Sequence, residues 1–130
     1  MNAGTFTPVS YDELHRLITN LNISKSAGPD NIGPKLVKTV SACICTPLLH
    51  IFNLSIRNGI VPDELKIAKV VPVYKKGDKK LACNYRPISL LSIFDKLLEK
   101  VMKNRLYSYL HINKVLFNYQ FGFRLTTQQL

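Results

Sequence analysis

One stretch constrains the fold more than any other: Lys66 to Leu91, KIAKVVPVYKKGDKKLACNYRPISLL. It opens on an apolar, β-branched run, Ile67–Tyr74. A basic, glycine-containing loop follows, Lys75–Asn84, and the stretch closes on Tyr85-Arg86-Pro87-Ile88-Ser89-Leu90. β-Branched and aromatic side chains favour extended backbone, so two such segments around a polar loop predict an antiparallel hairpin. Its tip carries Lys75, Lys76, Lys79 and Lys80, with Gly77 allowing a tight turn. A tip of this kind suits a polyanion, whether a nucleic-acid backbone or a triphosphate. If the two segments pair, Arg86 falls near the base of the loop, close to Lys75. Lysine as a point charge and arginine as a forked donor then make an oxyanion clamp. The same residues would equally make a plain exposed basic turn.

The rest of the chain reads as a helical frame. Residues 1–9 are a polar lead-in. Ser10-Tyr11-Asp12-Glu13 is a capping box: the Ser10 hydroxyl accepts the Glu13 N–H, and the Glu13 side chain reaches back. Leu14, Leu17, Ile18 and Leu21 recur at helical spacing, which predicts a helix over 11–21. The segment 22–33 is rich in helix breakers, and Pro34 opens the next helix where its missing N–H costs nothing. Thr46-Pro47 predicts a fault, hence two helices near 34–44 and 47–58. Leu48, Leu49, Ile51, Phe52, Leu54 and Ile56 cover more than one face, so the second is expected to be well buried. Gly59 stops it, and 61–65 is a connector with room for one helical turn. The longest helix is expected over 91–110, with Phe94, Leu97, Leu98, Val101, Met102 and Leu106 inward and Lys96, Lys100 and Lys103 on the other side. The tail from Asn113 is irregular. Helices outnumber strands, and the strands are adjacent in sequence. The class is α+β, mainly helical with a small antiparallel β-hairpin.

Composition narrows the partners. Among 130 residues, 18 Lys and Arg face 8 Asp and Glu, a net charge of +10, while 46% are hydrophobic. That is enough apolar content for one small core, or part of a larger one. The charge points to nucleic acid, with solubility as the plainer use. Cys43, Cys45 and Cys83 have no framework spacing and read as buried reduced thiols. With no signal peptide and no apolar run long enough for a bilayer, the expected location is intracellular, cytoplasmic or nuclear, without a membrane partner.

Several chemistries are absent. Metal-dependent polymerases and nucleases need converging carboxylates. Here Asp12, Glu13, Asp63 and Glu64 read as helix-start acids, and Asp30 and Asp78 as turn residues. No catalytic or metal-ligating residue is assigned. His15, His50 and His111 stand far apart without patterned partners. The run Gly28 to Lys35 imitates a phosphate-binding loop, but Pro34 interrupts it and no Ser or Thr follows the lysine. Two further clusters are candidates for nucleic-acid contact. Lys25, Ser26 and Gly28 lie in a loop suited to a sugar–phosphate backbone. Gln120, Phe123 and Arg124 belong to QFGFR, where aromatics could stack on a base beside an arginine. Each cluster also has a plain reading, as a turn or as packing.

These elements in this order resemble the N-terminal part of a reverse transcriptase of the non-LTR retrotransposon type, close to the jockey-like elements. The matching pieces are KSAGPDNI at 25–32, FNLS at 52–55, GIVP at 59–62, KIAKVVPVYKKGD at 66–78, YRPISLL at 85–91, then Lys96, Glu99-Lys100, Arg105-Leu106 and QFGFR at 120–124. The resemblance runs from about residue 8 to the end. It implies a partial reverse transcriptase domain over 10–130: the fingers of a right-hand polymerase and the start of the palm. Lys75 and Arg86 match the fingers residues that contact the incoming nucleotide's triphosphate. Lys25, Ser26, Gly28, Lys76, Lys79, Lys80, Gln120, Phe123 and Arg124 fall where the family meets template and nucleotide.

The implied partners are template RNA, a DNA primer, a dNTP, and the missing palm and thumb. Mg²⁺ is expected for the full-length family, and no cofactor is expected to bind this chain alone. The family's metal-binding aspartates lie further downstream, and the family's basic, glycine-containing insert between Phe-Arg and Ser-Thr is lacking after Arg124. The expectation is therefore a fragment that binds without catalysing. A non-catalytic RNA-binding module and an inactive remnant remain as alternatives.

Overall fold

The computed structural model describes residues 7–115. Helix α1 (Tyr11–Thr19), α2 (Pro34–Thr39) and α3 (Ser41–Asn58) come first. Strands β1 (Ala68–Tyr74) and β2 (Tyr85–Leu91) follow, and α4 (Ile93–Ile112) closes the described chain. One 3₁₀ turn, Asp63–Lys66, leads into β1, and another, Ala82–Asn84, leads into β2. The class is α+β, as expected. No helix among the described residues is long and apolar enough to cross a membrane.

Helix boundaries follow local chemistry. Ser10 caps α1, its hydroxyl accepting the Glu13 N–H at 3.2 Å. The Glu13 carboxylate is gripped by Arg105 of α4 and also feels the Ser10 backbone N–H, the reciprocal half of the capping box, which helps lower its pKa. Helix α1 stops at Thr19, so Leu21 packs against the core from beyond the helix. Pro34 opens α2 and Gly59, at φ +67°, ends α3 in the left-handed conformation.

The expected fault at Pro47 is not where the helix breaks. Helix α3 runs through Pro47, and the break lies at Val40 (φ −97°, ψ 14°). Pro47 removes the donor for the Cys43 carbonyl, and both residues are exposed, so the freed oxygen is not sealed in the core. The run Val37-Lys38-Thr39-Val40 is rich in β-branched side chains, which lose rotamer freedom in a helix.

The core is where α1, α3 and α4 meet. Leu14 and Ile18 of α1, Cys45 and Phe52 of α3, and Leu97 and Val101 of α4 are fully buried, joined by Val9 and Val37. Burying a side chain such as Phe52 stabilises the fold by about 2–3 kcal/mol. Helix α3 buries one stripe, Cys45, Leu48, Phe52 and Ser55. Ile51 and Leu54 stay exposed, against the expectation of a helix buried all round, because the body gives α3 neighbours on one side only. Helix α4 starts two residues later than expected, with Ser92 as its cap, and runs through to Ile112. Leu106 is exposed rather than inward.

Of the three free cysteines only Cys45 is buried; Cys43 and Cys83 are exposed, so the expectation of three buried thiols holds for one. The Cys45 thiol donates to the Tyr11 carbonyl at 3.8 Å, and burial pushes its pKa up.

Two polar side chains tie the N-terminal segment down. Asn53 pairs with both backbone groups of Val9, accepting its N–H at 2.7 Å and donating to its carbonyl at 3.0 Å. Arg105 makes a forked ion pair with Glu13 at 2.9 Å for each oxygen. Its remaining N–H groups donate to the carbonyls of Thr7 at 2.6 Å and Pro8 at 3.0 Å. This pairing holds the Glu13 pKa below the usual glutamate range.

Candidate functional site

The hairpin stands on the helical body and contributes none of its fully buried side chains. Its register is regular and antiparallel, with Ala68 opposite Leu91, Val71 opposite Ile88, Val73 opposite Arg86 and Tyr74 opposite Tyr85. The Lys75 N–H donates to the Asn84 carbonyl at 2.8 Å, which carries the ladder one step into the loop. Side chains alternate faces along a strand. Lys69, Val71, Val73 and Lys75 therefore share one face with Leu90, Ile88 and Arg86. Lys75 and Arg86 are diagonal neighbours there, a relation that sets Cβ atoms about 7–8 Å apart and within reach of long side chains. Both are exposed. The register so gives the expected juxtaposition a concrete form: two cations on one face, at the loop end of an apolar strip.

The tip is a built loop. Gly77 sits at φ +93°, and a Cβ there would lie 2.8 Å from the Asn84 amide nitrogen. The Asn84 amide donates to the Asp78 carbonyl at 2.8 Å. The Tyr74 hydroxyl donates to the Gly77 carbonyl, and the Tyr85 hydroxyl to the Lys79 carbonyl at 2.8 Å. The two rings meet edge to face at 5.7 Å, and the Lys79 ammonium lies 5.5 Å from the centre of the Tyr74 ring. The Asp78 carboxylate accepts the Lys80 N–H at 2.9 Å. Lys76, Lys79 and Lys80 are exposed with Lys75. Sequence reasoning missed Tyr74, Tyr85 and Asn84 as loop-holding residues. The available signal was two tyrosines facing each other across a polar loop.

The first loop behaves differently from expectation at one position. Lys25 and Ser26 are exposed, but Gly28 is buried. A Cβ on Gly28 would sit 2.6 Å from the backbone of Leu91 and Ser92. Gly28 is therefore a packing contact at the exit of β2. That contact lies at the far end of the strands from the lysine tip, about 20 Å away for a strand of this length. Gln120, Phe123 and Arg124 lie outside the described residues.

Mg²⁺, the ion the sequence resemblance implies for the full-length family, needs converging carboxylates. Asp78 is engaged by Lys80, Asp63 by Lys66 at 2.7 Å and Glu13 by Arg105. Asp95 is buried in the first turn of α4, and burial pushes its pKa up. No three His, Cys, Asp or Glu among the described residues gather into a metal-holding group. These residues do not fit the ion.

Fold and site together describe a small helical body carrying a preformed basic hairpin. No family model matches the chain. The chain is similar to the probable RNA-directed DNA polymerase from transposon BS of Drosophila melanogaster, 33% identical over 118 residues, 90% of this chain and 13% of that protein. It is 31% identical over 127 residues to the RNA-directed DNA polymerase from mobile element jockey of Drosophila funebris, 95% of this chain and 14% of that one. It is 35% identical over 117 residues to the putative 115 kDa protein of the type-1 retrotransposable element R1DM of Drosophila melanogaster, 86% of this chain and 11% of that one. The chain is thus related, over most of its length, to the reverse transcriptases of non-LTR retrotransposons, while spanning 11–14% of the length of these relatives.

Proposed function

We propose that this chain is the fingers portion, with the start of the palm, of an RNA-directed DNA polymerase of a non-LTR mobile element. The observation that carries this reading is the register that sets Lys75 and Arg86 diagonally on one exposed face beside the basic tip. In this role Lys75 and Arg86 grip the triphosphate of an incoming dNTP. Lys76 and Lys80 of the tip, with Lys25 and Ser26, bear on the backbone of template RNA paired to a DNA primer. Gln120, Phe123 and Arg124 complete the contact on the strength of the sequence resemblance. The acids of this sequence do not supply a two-metal site, so nucleotide transfer needs carboxylates from outside this set. A second reading, a non-catalytic RNA-binding module, is favoured by the same engaged acids.

The test is binding of a labelled RNA–DNA primer–template, and of a dNTP, to the purified chain and to Lys75→Gln and Arg86→Gln. Each substitution is expected to weaken dNTP binding about tenfold or more, the loss of one charge-assisted contact. Unchanged affinity in both variants would remove the clamp. Primer extension by the chain with Mg²⁺ would overturn the claim that it binds without catalysing.

A further inference from the structure

We infer that Tyr74, Asn84 and Tyr85 form a latch that sets the basic loop in an anion-ready shape, and that Lys79 belongs to the latch rather than to the ligand-facing cations. The inference rests on the reading of this loop as the polyanion contact. Three consecutive backbone carbonyls at the tip are captured by side chains from the strand ends: Gly77 by Tyr74, Asp78 by Asn84 and Lys79 by Tyr85. Each capture turns the negative end of a peptide dipole back toward the hairpin, away from an approaching phosphate. Asp78, the only acid in the loop, is turned back too, its carboxylate accepting the Lys80 N–H. What remains outward is the positive set, Lys75, Lys76 and Lys80, with Arg86 beside them. Lys79 covers the Tyr74 ring, a cation–π contact that braces the phenol donating to Gly77.

A loop this rich in lysine repels itself and would otherwise sample many shapes. Binding would then pay for ordering each residue, a cost that a preformed loop avoids. The latch also accounts for Gly77, since any side chain there would strike the Asn84 amide that holds Asp78. These are positioning residues, acting on a ligand only through the loop they shape.

The experiment compares the full chain with Tyr74→Phe, Tyr85→Phe and the double variant. The probe is a labelled single-stranded RNA oligonucleotide at several salt concentrations. Tyrosine to phenylalanine removes a hydroxyl and no charge. The double variant is expected to bind about tenfold more weakly with an unchanged salt slope and an unchanged urea midpoint. Lys76→Gln, which removes a phosphate contact, is expected to reduce that slope by about 0.7, and Lys79→Gln to leave it unchanged. Trypsin cleavage after residues 75–80, located by mass spectrometry, is expected to be faster in the double variant. Wild-type affinity or wild-type trypsin resistance in the double variant would overturn the latch. An affinity loss that tracks a lowered urea midpoint would make the tyrosines merely structural and overturn it as well. If the wild-type chain binds no RNA, the polyanion reading fails separately, and proteolysis alone decides the latch.

Discussion

Arg105 and Asp95 show how two charges on one helix act on stability in opposite directions. Arg105 is almost completely enclosed, its side chain only 8% exposed, and its fork closes on Glu13. The guanidinium lowers the Glu13 pKa from its ordinary 4.5. A lowered carboxyl pKa contributes stability that is present above that ordinary value and is lost as pH falls through the lowered one. Asp95 is the reverse: burial raises its pKa from its ordinary 3.8. Its penalty is absent below that value and grows as pH rises through the raised one. Urea unfolding at pH 7 and pH 3 separates the two. Glu13→Gln should lower stability at pH 7 by about 1–2 kcal/mol, leaving Arg105 without its anion, and much less at pH 3. Asp95→Asn should raise the midpoint at pH 7 and match wild type at pH 3. A loss in Asp95→Asn at both values would mean the carboxyl serves a hydrogen bond as an acceptor.

Among the elements, the loop before α2 matters more than its irregular sequence suggests. Gly28→Ala would drive a Cβ to 2.6 Å from the backbone of Leu91 and Ser92, where no flexible group can yield. The substitution should cost about 1–3 kcal/mol in urea unfolding, whereas Gly33→Ala, with nothing within 4 Å, should be close to neutral. Equal effects at both positions would deny the close approach. The same loop marks the limit of what the sequence discloses. Caps, stops and strands were legible because Ser10, Pro34, Gly59 and the Val70–Val73 run act on their own neighbours. Gly28 was legible as a loop residue, for nucleic-acid contact or for a turn, and not as a packing contact, since its partner lies more than sixty residues away in the chain. Pro47 misled for a related reason: a helix can carry a proline at a cost that depends on its surroundings, and here both Pro47 and Cys43 are exposed. At the site, the Lys75–Arg86 pairing could be reasoned from strand alternation. The tyrosine hydroxyls could not, because their acceptors are backbone carbonyls whose direction depends on the finished loop.

At the scale of the molecule, the core and the candidate site use separate residues. The fully buried side chains come from the helices and the segment before α1, and the hairpin supplies the exposed cations. Replacing residues 75–84 with Asn-Gly would join the paired Tyr74 and Tyr85 by a type I′ turn. The helical body should then unfold cooperatively at a midpoint close to wild type, while RNA affinity falls and its salt dependence flattens. Loss of cooperative unfolding would show that the tip is part of the fold. The paired rings at the tip have one more consequence. The sequence has six tyrosines and no tryptophan, so no indole dominates its near-ultraviolet spectrum. Tyr74 and Tyr85, held edge to face, are the only tyrosine pair in contact among the described residues. The circular dichroism of that coupled pair makes the hairpin tip its own optical reporter, readable without a dye or an added chromophore.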